Sequence, residues 1–200
     1  MSEFLAYAEL GFRHITDPGG VDHVLFLLVL AAVYRRSDWL EVLRVMTAFT
    51  VGHSATLLLT VTGALRLPAA VVEFLIPVTI LATGLENLLV RGRRSALWGG
   101  RYRLLLVGAF GLVHGAGFAN YLRSLFVERI AVPLLAFNVG LELGQVVVLG
   151  AAALLFLAVD AALRPLARPG SWSPVRLRAV GVSAAVTLVA VRWAVERSPW

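Results

Sequence analysis

At 59% hydrophobic and only 15% charged, with a mean hydropathy of +0.83, these two hundred residues cannot cover a soluble domain. Such a domain carries about a quarter of its residues charged. The net charge of +6 comes from eighteen arginines with no lysine, set between apolar blocks. That placement is a topology signal and argues against a phosphate-tracking nucleic-acid surface. The absence of cysteine excludes disulfides, thiolate metal sites and cysteine nucleophiles, so any metal must be held by nitrogen and oxygen.

The apolar blocks are continuous rather than alternating, which predicts an all-α transmembrane bundle and not a β-barrel. In chain order, Met1 to Ile15 carries Glu3, Glu9, Arg13 and His14 and lacks the basic and uninterrupted apolar regions of a leader. With Phe4, Leu5, Ala8 and Phe12 near helical spacing, it reads as a short amphipathic helix at the membrane interface. Six spans follow: Val21 to Tyr34, Val45 to Gly63, Ala69 to Val90, Leu104 to about Phe126, Ile130 to Leu163, and Leu177 to Val195. The fourth invites a break near Gly115–Gly117, and the fifth is long enough to require a tilt or a break. One transmembrane domain results: residues 1–15 as the interfacial helix, 21–163 as a five-span core and 177–195 as a sixth span.

Loops one, three and five hold twelve of the eighteen arginines, including Arg35, Arg36, Arg91, Arg93, Arg101, Arg103 and Arg178. The positive-inside bias places both termini outside the cytoplasm in a bacterial inner membrane, with lipid as the surrounding partner.

Charged groups within spans cost about 2.5–3.5 kcal/mol on insertion scales and are kept for a reason. All four histidines, His14, His23, His53 and His114, lie in or at the mouth of spans, joined by Asp22, Glu73, Glu86 and Glu142. Asn138, Glu142 and Gln145 follow i, i+4, i+7 on the fifth span. His53, Thr56 and Thr60 align on the second, and Thr79, Thr83 and Glu86 on the third. Gly111 and Gly115 form a GxxxG pair beside His114, a close-packing signal more than a chemical one. A single intramembrane histidine serves as readily to hydrogen-bond a neighbouring helix as to bind a metal. Four of them, with three glutamates in so short a chain, favour a site. Glu86, beside Asn87, is explained as well by a salt bridge to Arg91 or Arg93 as by an exit site, and Glu73 can pair with Arg66. Imidazole with carboxylate suits borderline divalent metals, Ni, Co, Zn or Cu.

Five segments then resemble, in order, the signatures of the HupE/UreJ family. They are His14-Ile-Thr-Asp-Pro-Gly-Gly-Val-Asp22-His23-Val-Leu-Phe, Phe49-Thr-Val-Gly-His53-Ser, Leu85-Glu86-Asn87, Phe110-Gly-Leu-Val-His114-Gly-Ala-Gly-Phe and Phe137-Asn138-Val-Gly-Leu-Glu142-Leu-Gly-Gln145. The resemblance implies a nickel or cobalt permease of the kind that accompanies hydrogenases and ureases, with a His and an Asp-His pair at the first span capturing metal. The family pattern places five residues between that His and the Asp; here seven separate His14 from Asp22.

The resulting expectation is a divalent-metal permease. Asp22, His23 and His14 capture the ion, His53, His114 and Glu142 hold it at the midplane, and Asn138 and Gln145, with Glu73, Glu86 and Asn87, assist. Protonation of histidine near pH 6.5 predicts uptake that weakens in acid. A homo-oligomer and an accessory metal-delivery protein are the compatible protein partners. The alternative is an intramembrane zinc-dependent hydrolase or transferase acting on lipid, with three histidines and an aspartate leaving one coordination position for water. No HExxH or GxSxG motif supports it, and without a P-loop any ATP coupling would need another subunit.

Overall fold

The computed structural model describes residues 2–89, 101–125, 130–167 and 172–200. Among these there are seven α-helices: α1 (Glu3–Thr16), α2 (Val21–Ala31), α3 (Trp39–Val61), α4 (Ala69–Leu89), α5 (Arg101–Leu125), α6 (Ala131–Leu163) and α7 (Pro174–Glu196). Five of them, α3 to α7, are long and apolar enough to cross a membrane, and α2 is a shorter apolar helix of 11 residues. The expected all-α transmembrane bundle is therefore present. The second span begins six residues earlier than its hydropathy suggests, at Trp39. Neither α5 at Gly115–Gly117 nor α6 is broken. The 33 residues of α6 make a rod of about 50 Å, which crosses a ~30 Å hydrocarbon layer only by tilting or protruding. Arg91, Arg93 and Arg94 of loop three lie outside the described residues.

Glycine sets the helix pairs. α3 and α5 run parallel, with Gly52 on the backbone of Gly108 and Gly111 and Gly115 on the backbones of Phe49 and His53. α1 runs parallel to the first half of α6, with Gly140 on Ala8 and Gly11 on Phe137. Without a Cβ the backbones approach closely, and small residues do in lipid what burial of large apolar groups does in water. The helix α1 is thus seated lengthwise on α6, and its charged residues Glu3, Glu9 and Arg13 face outward.

The shortness of α2 poses a problem that the opposite side of the bundle solves. A helix ending among other helices leaves carbonyls without partners, which is costly where water is absent. Here the Val29 carbonyl accepts from the Asn87 amide at 2.7 Å and the Leu30 carbonyl from Arg103 at 3.5 Å. Arg178 donates to the carbonyls of Ala32 (3.2 Å) and Tyr34 (2.6 Å) and pairs with Asp160. These cations also sit at the negative end of the α2 dipole. Helix α2 can therefore stop inside the bundle, and its N-terminal end is left to serve the site.

Candidate metal centre

The chain breaks between α1 and α2 at a single 3₁₀ turn, Pro18–Gly20. Asp17 caps it by accepting from the Gly19 N–H at 2.7 Å. The turn brings the end of α1 against the start of α2, so His14 and His23 meet with ring centroids 4.6 Å apart. The two residues by which this spacing exceeds the family pattern do not keep His14 away. From α3, His53 lies 5.8 Å from His14 and 6.0 Å from His23, again between centroids. From α5, His114 lies 5.2 Å from His23. The ligand atoms of His14, His23 and His53 all fall within 4.8 Å of one another. A metal bound at about 2.1 Å to each would draw the three rings slightly inward.

The hydrogen bonds decide which ring nitrogens are free. His23 Nδ1 is 3.0 Å from the Asp22 carboxylate, which also accepts from the His23 backbone N–H at 2.8 Å. The carboxylate accepts from Nδ1–H and turns Nε2 away, buried and without a hydrogen-bond partner. This is how a carboxylate orients a ligating imidazole and raises its basicity. His114 is set from the other side. The Thr79 hydroxyl gives its only hydrogen to the Ile76 carbonyl at 2.7 Å, so at 2.9 Å it accepts from His114 Nε2–H. His114 Nδ1 is then the free lone pair, and it too is buried without a partner. The same holds for His14 Nε2 and for both nitrogens of His53, whose ring is 0% exposed. An unpaired buried polar atom is costly. Four imidazoles carrying such atoms, gathered from four helices, fit a divalent metal of the borderline class.

Above the cluster is an open cavity of about 680 Å³. His14, Asp22, His23 and His114 form its floor, Leu10, Ile76 and Phe118 its apolar wall, and Arg13, Asp17, Glu73 and Arg197 line the rest. It belongs to the end of the bundle where α4 starts and α7 finishes.

Of the remaining residues singled out from the sequence, Glu73 lines the cavity and the others go elsewhere. Asn138 and Gln145 tie α6 to α3 through hydrogen bonds with the hydroxyls of Ser54 (2.7 Å) and Thr50 (3.0 Å). Glu142, between them in sequence, is exposed on α6 and is not brought to the histidines. Glu73 is exposed at the cavity. Glu86 is buried and pairs with Arg103 at 3.6 Å, while Arg91 and Arg93, its expected partners, lie outside the described residues. The sequence pattern assigns Arg178 only a topological role and Asp160 none, and one signal was available: Asp160 and Glu142 are the two charges within the most apolar helix.

A family model described as HupE / UreJ protein matches residues 1–197, taking in the last helix as well as the five signature segments. No curated protein and no solved structure matches the chain.

Proposed function

The chain belongs to the HupE/UreJ family, and we propose that it is a permease carrying a divalent transition metal, nickel or cobalt before zinc or copper, across the bacterial inner membrane. The observation that carries this reading is the set of imidazole nitrogens left without partners on the floor of an open vestibule in a membrane bundle. His14, His23 and His53 are the ligands, and Asp22 orients His23. His114 stands beside them as the ligand that takes the ion onward. With the arginine-rich loops in the cytoplasm, the vestibule faces outward and the ion meets the histidines first. Neutral nitrogen donors without a thiolate bind such ions firmly and still let them leave, as conduction demands.

The test is reconstitution in liposomes, following Ni, Co, Zn and Cu influx with a metal-responsive dye. Wild type should show saturable influx of one ion, and His23→Ala and His114→Ala should abolish it. No influx of any ion, with one metal tightly retained per chain, would overturn the permease reading and favour the lipid-directed hydrolase.

Thr79 offers a finer check. Thr79→Val removes the acceptor that holds His114 Nε2–H, whereas Thr79→Ser keeps it. Orienting partners of this kind are worth about 10–100-fold in metal affinity. The valine variant is expected to lose influx on that scale and the serine variant to retain it. ¹⁵N NMR of the His114 ring should report a mixed tautomer in the valine variant alone.

A further inference from the structure

We propose that Glu86 and Asn87 form a second, inner station for the same divalent ion, and that Arg103 occupies it as a stand-in cation between passages. The proposal rests on the permease reading. Below the histidines, α4 presents a buried polar stripe in an otherwise apolar span: Thr79, which touches His114, then Thr83, Glu86 and Asn87. Thr83 donates to the Thr79 carbonyl at 2.9 Å, satisfying its own hydroxyl proton and leaving its lone pairs available. Seven residues of helix carry the stripe about 10 Å from Thr79 to Glu86, towards the arginine-rich end.

Among the described residues, two buried oxygens at the end of the stripe have no hydrogen-bond donor, Glu86 Oε1 and Asn87 Oδ1. The Asn87 amide cannot be turned to remedy this. Its nitrogen donates to the Val29 carbonyl at 2.7 Å and to Ser183 Oγ at 3.1 Å, and a carbonyl accepts only from the nitrogen side. Glu86 has Arg103 at 3.6 Å, close enough to neutralise it and too far for a hydrogen bond. Arg103 is meanwhile occupied with the Leu30 carbonyl and the face of Tyr34. A buried carboxylate requires a cation, and Arg103 supplies the charge without saturating the oxygens.

The donor set gives the station its direction. One carboxylate and one amide oxygen bind nickel or cobalt more weakly than clustered imidazoles do. An ion leaving His114 therefore passes to a site that holds it loosely and releases it at the inner surface. With Arg103 in place, a second cation is repelled and the path is closed at that end.

The test compares wild type with Glu86→Gln and Arg103→Gln, using nickel and cobalt alone as probes. Equilibrium dialysis counts bound ions, and liposomes report influx. Glu86→Gln should bind its one ion with an affinity within about twofold of wild type, which also shows that it is folded, and should lose at least tenfold in influx. Arg103→Gln should bind a second ion per chain, and Glu86→Gln in that background should remove it. Wild-type influx in Glu86→Gln, or no second ion in Arg103→Gln, would overturn the inner station while leaving the permease reading intact. Failure of the wild type to bind or conduct either metal would overturn both.

Discussion

Alanine in place of His53 is expected to weaken nickel or cobalt binding by more than about a hundredfold while leaving the fold nearly as stable as before. The first half follows from geometry. His53 is one of the three imidazoles whose ligand atoms converge, and loss of a direct ligand should exceed the 10–100-fold attached to its orienting partners. The second half follows from what the ring does not do. His23 and His114 each make a side-chain hydrogen bond, to Asp22 and Thr79, whereas neither nitrogen of His53 has a partner. Deleting the ring opens a cavity, a destabilising change, but also removes two unsatisfied buried polar atoms, whose cost is about 1–3 kcal/mol each. The two effects oppose each other. A histidine retained only to pack or to link helices would give the reverse: a large loss of thermal stability with metal affinity unchanged. Metal titration and thermal unfolding of the same detergent-solubilised sample separate the cases.

The sequence made the membrane bundle legible because hydropathy acts over whole spans, and twenty apolar residues leave a helix little choice of environment. It made the histidines legible because each is expensive where it stands. It did not reveal which polar residues meet, because helical periodicity assigns a residue to a face and not to a neighbour. Asn138, Glu142 and Gln145 illustrate the limit. All three fall within a narrow arc of one helix, yet α3 covers Asn138 and Gln145 and leaves Glu142 outside. The capping of α2 was beyond reach for a different reason. Its carbonyls are satisfied by Asn87, Arg103 and Arg178, far away in the chain, and Arg103 and Arg178 look in sequence like ordinary positive-inside signals. Their placement between apolar blocks predicts topology, and only the capping is visible in three dimensions.

Valine at Gly115 is expected to cost the protein both stability and metal, and valine at Gly150 neither. A Cβ at Gly115 would fall on the backbone of His53, and one at Gly52 on the backbone carbonyl of Gly108. These obstacles are rigid helix backbone, so α3 and α5 would have to separate. Overpacking of this kind costs about 1–3 kcal/mol where the neighbours can yield, and more where they cannot. Gly150, on the membrane-facing side of α6, has nothing within 4 Å of a built Cβ and so provides the control at an equally apolar position. The metal should be lost with the stability because the contact surface and the site share residues. Gly115 adjoins His114 in sequence and rests on His53 in space, so any separation of the two helices moves these imidazoles apart by the same amount. Functional constellations tolerate about 0.5 Å of such displacement. The expected result is a lowered unfolding temperature and no measurable nickel or cobalt binding in Gly115→Val. Full binding in a destabilised Gly115→Val would show instead that His53 and His114 are not held in register by the α3–α5 contact.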